Sequence, residues 1–159
     1  MLKNRSTSLT TLVLVLLLVA GTALPAAAQK MLIPMGASQT NHLKAYGIVF
    51  NHLQDGNSVQ WLLNYNGGSF LLDYSESVNE KCLVRNVKNQ RISASKARSI
   101  IQKVEQPDAN MAVTQLDKAP KIAVYTPKQK LPWDDAVTLA LTYAEVEYDK
   151  VWDEEVLNG

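Results

Sequence analysis

Residues 121–157, KIAVYTPKQKLPWDDAVTLALTYAEVEYDKVWDEEVL, constrain the fold more than any other stretch. Residues 122–126 form a short β-branched run behind Pro120. Residues 127–133 hold two prolines and two lysines and read as a loop. Asp134 suits a helix N-cap and Asp135 the first turn, where a carboxylate meets unpaired N–H groups and the positive helix end. Ala136, Leu139, Ala140 and Tyr143 follow at offsets of three, four and seven, one apolar helical face. Residues 148–152 are extended in character. The order strand, loop, helix, strand predicts one βαβ unit.

The first 28 residues stand apart. Lys3 and Arg5 open the chain, residues 12–19 are unbroken apolar, and Ala26, Ala27 and Ala28 supply the small residues that a signal peptidase reads. The apolar run is too short to cross a bilayer comfortably. The pattern predicts an exported protein, periplasmic or extracellular, with Gln29 at its mature start and no membrane attachment after cleavage. Loss of the leader lowers Lys and Arg from 16 to 14 against 15 Asp and Glu, so the formal charge moves from +1 to −1. A near-neutral mature chain argues against nucleic acid as a partner. Cys82 is the single cysteine, so no internal disulfide forms in an oxidising compartment, and its apolar neighbours Leu83 and Val84 read as a strand over residues 82–87.

The mature chain opens with the same pattern. KMLIPM at residues 30–35 reads as a strand that Pro34 either demotes to an edge or ends early. Residues 36–40 are a polar loop. Leu43, Tyr46, Ile48, Val49, Phe50 and Leu53 carry largely helical spacing, and Gly56 follows the last turn. Residues 59–63 read as the next strand. Two βαβ units predict an α/β fold with a mainly parallel sheet, flavodoxin-like or class I amidotransferase-like, and incomplete. Between the units, residues 64–68 (NYNGG) form a turn and residues 69–72 a hairpin return. Ser93 caps a helix with Ala97, Ile100, Ile101 and Val104 on one face, stopped by Pro107. The organisation predicted is a leader at 1–28, a first α/β unit at 29–107, a connector at 108–120 whose alternating Met111, Val113 and Leu116 also suit an edge strand, and the start of a second α/β unit at 121–159.

In parallel sheets ligands sit beyond the carboxyl ends of the strands, beside helix N-termini. That edge would carry two loops, and the ligand-binding candidates are Asn41, His42, Lys128, Trp133, Asp134 and Asp135, with Ser38, Thr40 and Lys130 beside them. Helix caps, solvated loop lysines and, for Trp133, a helix-entry hydrophobic contact account for most of these residues without a ligand. Gly67, Gly68 and Ser69 are a weak anion-binding pattern and first of all a turn. No Cys, His or carboxylate cluster has metal-ligand spacing. There is no G-x-S-x-G elbow and no phosphate loop. The residues name no catalytic group and no cofactor.

MLIPMGASQTNHLKAYGIVF, WLLNYNGGSFLL and the stretch from Lys121 onward resemble the N-terminal part of a family of large exported Gram-negative proteins labelled asparagine synthetase B. The resemblance covers residues 31–159. It implies a chain that continues into a longer α/β region similar to class I glutamine amidotransferases, with the remainder of the full-length chain as the partner of this part. The label's chemistry has no motif here. Position 2 is Leu2 rather than the cysteine whose thiol is activated by a freed amine, and no S-G-G-x-D-S run is present. Cys82 lacks the flanking glycines of an amidotransferase elbow. Three readings follow: a non-catalytic N-terminal module, a glutamine-dependent asparagine synthetase or amidotransferase, and an envelope carbohydrate- or small-molecule-binding domain using Trp61, Tyr65, Trp133 and Trp152.

Overall fold

The computed structural model describes residues 29–126 and 135–158. Strand β1 (Gln29–Ile33) leads through a loop into α1 (His42–Gln54) and β2 (Val59–Leu63). A turn with a short 3-10 segment (Tyr65–Gly67) reverses the chain into β3 (Ser69–Asp73). Then come α2 (Glu76–Val84), β4 (Gln90–Ser93), α3 (Ala94–Val104) and β5 (Ala112–Leu116). These five strands make one sheet in the order β4-β1-β3-β2-β5, antiparallel throughout. The first four strands with α1 and α2 have the split βαβ, ferredoxin-like connectivity.

The predicted parallel, flavodoxin-like sheet is therefore corrected. β1 and β2 do run the same way, but β3 lies between them and pairs with both. The cause is local. The Asn-Gly-Gly turn returns the chain at once, and β3 carries Phe70, Leu71 and Leu72 in succession. A strand apolar on both faces belongs in the middle of a sheet. Phe70 and Leu72 join one core with Met31, Ile33, Ile48, Val49, Val78 and Cys82, under α1 and α2. Leu71 joins the opposite core with Leu32, Leu62, Ala97, Ile100 and Val104, under α3.

Other elements follow their local chemistry. Ser93 caps α3 by accepting from the Lys96 N–H at 3.2 Å, as predicted. Residues 82–87 are not a strand. Ser75 accepts from the Val78 N–H, and Val78 and Cys82, four apart, bury one face of α2. β5 lies inside the predicted connector and forms an edge of the five-stranded sheet beside β2.

The last part of the chain is a genuine βαβ unit. β6 (Ala123–Tyr125) and β7 (Asp149–Val151) pair in parallel around α4 (Ala136–Ala144), followed by α5 (Asp153–Asn158). The acidic run after β7 forms the first turn of α5, where the Glu155 carboxylate accepts from the Trp152 N–H at 2.9 Å. This unit seats on α1 through Phe50, Ala144 and Val146, with Leu141 and Ile122 beside them. A polar latch surrounds that seat. Glu145, in the left-handed conformation at the end of α4 (φ 61°), receives Lys44 at 2.7 Å and Arg85. Asn51 donates to the Glu145 carbonyl at 3.2 Å and Gln54 to Glu147 at 3.0 Å.

The face predicted to bury α4 is largely open. Leu139 is 56% exposed and Tyr143 48%, with Val137 on the same short helix at 54%. The helix AVTLALTYA has no charged residue. Among the described residues β6 and β7 have no further strand on either edge.

Candidate functional site

One end of the five-stranded sheet collects its loops. The register puts Ile33 opposite Phe70, Leu32 opposite Gln90 and Leu63 opposite Ala112, so residues 34–41, 64–68, 85–89 and 105–111 share that end. Asn64, Asn66, Asn86 and Asn110, all with positive φ, lie in these loops. Asparagine adopts the left-handed conformation at lower cost than most residues. Glycine is required at position 67, where φ is 80° and a Cβ would lie 2.4 Å from the Met35 carbonyl oxygen.

That close approach fixes Met35 from two sides. Its N–H donates to the Asn66 carbonyl at 3.1 Å, and its carbonyl lies 3.0 Å from His42 Nε2. A carbonyl only accepts, so Nε2 carries the proton in this contact. Trp61 is held by the same turn. Its indole N–H donates to the Gly68 carbonyl at 3.0 Å and its ring stacks on Phe70.

Buried Gln39 joins the next two loops. Its amide nitrogen donates to the carbonyls of Pro34 (3.0 Å) and Lys88 (3.1 Å), and its oxygen accepts from the Lys88 N–H (3.0 Å). Between these loops lies a cavity of about 580 Å³ lined by Ser38, Cys82, Asn86, Lys88 and Asn89, among others. Cys82 is fully buried at its edge. Burial pushes its thiol up to about 11, against a smaller opposing effect of a hydrogen bond with Asn89. A thiol held protonated in this way is a poor nucleophile.

The sequence candidates are scattered. Asn41 caps α1, accepting from the Lys44 N–H at 3.4 Å, and donates to the Arg85 carbonyl at 3.1 Å. His42 sits beside it, holding Met35. Asp135, expected in the first turn, is itself the N-cap of α4, accepting from the Val137 N–H at 2.9 Å. Tyr143, at the far end of α4, is the residue that reaches Asn41, at 3.4 Å. Asp135 thus lies about 12 Å further along that helix, at 1.5 Å per residue. Lys128, Trp133 and Asp134 lie outside the described residues, as does Lys130. Ser38 lines the cavity; Gly67 to Ser69 spend their groups within the turn, Gly68 N–H and Ser69 hydroxyl both donating to the Tyr65 carbonyl.

A larger cleft, about 760 Å³, lies between α1 and the βαβ unit, lined by Phe50, Lys121, Glu147 and Asp149 among others. It opens at the amino ends of β6 and β7, the end of a parallel pair that does not normally carry a ligand. Among the described residues there is no group of three or more His, Cys, Asp or Glu side chains able to hold a metal ion. No helix among them is long and apolar enough to cross a membrane.

Gln39 and the loop at residues 85–89 were the groups that sequence reading passed over. A buried glutamine has no periodic signature, and the loop was hidden inside a misread strand. No family model, no curated protein and no solved structure matches this chain.

Proposed function

We propose that this chain is a non-catalytic N-terminal α/β module of a larger exported protein, and that its partner is the remainder of its own full-length chain. The observation that carries the reading is the unit β6-α4-β7. Parallel sheets occur almost only with both faces covered and several strands in register. Here, among the described residues, two three-residue strands stand with open edges beside a helix that has no charged residue and has Val137, Leu139 and Tyr143 about half exposed. A helix apolar on most sides is a buried helix in the finished protein. Further strands added to β6 or β7 would cover it, as the resemblance to exported proteins labelled asparagine synthetase B implies.

Cys82 gives no support to glutamine hydrolysis within this part, because its thiol is buried and protonated. Any amidotransferase chemistry belongs to the remainder. Sugar binding on aromatics is likewise unsupported at Trp61, whose ring and N–H are both engaged.

The test is to read the coding sequence past the Gly159 codon and to compare the present chain with the full-length product. The expected result is a further α/β region, apolar dye binding by residues 29–159 alone, and loss of that binding in the longer protein. A stop codon directly after Gly159, or equal absence of dye binding in both, would overturn the proposal.

A further inference from the structure

We infer that the cavity between residues 34–39 and residues 85–90 is a binding site for a small organic carboxylate. This goes beyond the role proposed above and does not depend on it.

Three observations carry it. The first is rigidity. Gln39 is 3% exposed and its side chain makes three hydrogen bonds, to Pro34 and to both backbone groups of Lys88. Asn41 adds a bond to the Arg85 carbonyl, and the Val87 N–H closes the end of α2 on the Cys82 carbonyl at 2.8 Å. Both walls are therefore fixed before any ligand arrives, which is the cheap way to bind.

The second is what this wiring leaves unused. The N–H groups of residues 85–88 are spent on structure, while Ser38, Asn86 and Lys88 line the cavity and their side chains make no hydrogen bond or ion pair to another described residue. Hydroxyl and amide groups donate, and ammonium attracts.

The third is charge. The lining holds Pro34, Asn79, Leu83, Val87 and Gln90 besides the residues named, and no Asp or Glu; the Asn79 amide is engaged, donating to Glu76 at 3.1 Å. Lys88 is its one cation among the described residues. An ammonium flanked by neutral donors, with apolar Pro34 and Val87 alongside, selects a molecule with one carboxylate, polar substituents and a short carbon skeleton. The volume, about 580 Å³, lies within the range of small-molecule pockets.

The experiment is a titration of isotope-labelled mature protein with lactate and with N-acetylglycine, each a monocarboxylate, followed by backbone and side-chain amide resonances. N-acetylglycinamide, which lacks the carboxylate, is the matched probe. Saturable shifts centred on Asn86, Lys88 and Asn89 are expected with at least one of the acids. They should be about tenfold weaker or more in Lys88→Gln, the loss of a charge-assisted bond. Lys103→Gln, on α3, should leave the affinity unchanged. Lys88 is an exposed loop residue, so its variant folds, and its amide spectrum away from the loop verifies that. Absence of saturable shifts with both acids, equal binding of the uncharged amide, or unchanged affinity in Lys88→Gln would each overturn the assignment.

Discussion

Replacing Gly47 by alanine should separate two effects of opposite sign. Gly47 sits in the middle of α1, buried beneath the end of α4. In an exposed helix the change would gain about 1 kcal/mol of helix propensity. Here the new Cβ would lie 1.7 Å from the Ala144 carbonyl oxygen and 2.8 Å from its carbon. Both are backbone atoms and cannot turn aside. To reach the 3.0 Å that real Cβ atoms respect, the α4 end must retreat by about 1.3 Å. Overpacking of this kind costs about 1–3 kcal/mol, and contact with backbone belongs at the upper end. The retreat also pulls Glu145 away from Lys44 and Arg85 and loosens Phe50 against Val146. Partly exposed ion pairs add only about 0.2–1 kcal/mol each. The net expectation is a loss of about 2 kcal/mol. At roughly 3–5 °C per kcal/mol for a chain of this size, calorimetry should show Tm lower by about 6–10 °C. A Tm that stays level or rises would mean that α4 does not seat on Gly47, and the described docking of the βαβ unit would be wrong.

The latch should also respond to pH. Hydrogen bonds from Arg85 first and Lys44 second hold the Glu145 carboxyl below its ordinary value of 4.5. A lowered carboxylate contributes stability above its unfolded pKa and loses it as pH falls through the folded value. Melts between pH 6 and pH 3 should therefore show a loss below about pH 4.5 that is smaller in Glu145→Gln; identical curves would remove Glu145 from the latch. Cys82 should resist a disulfide reagent in the folded protein at pH 8 and react fully in denaturant, because it is buried with its thiol pushed up to about 11. Rapid labelling of the native chain would contradict its place in the core. Gly67→Ala should lower stability by about 2 kcal/mol or more, through left-handed strain and collision with Met35. Urea unfolding measures it, and a wild-type midpoint would show that the 64–68 turn is not wedged against β1.

Much of the local structure was legible in the sequence. α1, α3, α4 and the strands β2, β6 and β7 follow from periodicity, caps and turns. Pairing was not. A strand-helix-strand pattern does not say whether the next strand inserts between the first two, and the hairpin through Asn64 to Gly68 decided that. The second unit has no such hairpin and pairs in parallel as expected. Cys82, Leu83 and Val84 read as a strand because three apolar residues in a row outweighed Val78 and Cys82 at helical spacing. The candidate site was legible at Ser38 in its polar loop and at Asn41 and His42, which bear polar groups at a helix start, whereas Asp135 caps a different helix away from it. The cavity around Ser38, Asn86 and Lys88 depends on the Gln39 bridge, and partners 49 residues apart leave no pattern in the chain.

Hydrogen exchange on residues 29–159 tests the central claim, that the chain joins a self-sufficient antiparallel body to an open parallel edge. Amides of β1 and β3, paired on both sides within the five-stranded sheet, should exchange only on global unfolding. Those of β6 and β7 should open locally and exchange roughly a thousandfold faster, since stability is not uniform across a structure. Equal protection of β6, β7 and β3 would show that the small parallel sheet is complete as it stands, and the case for a missing partner would fall.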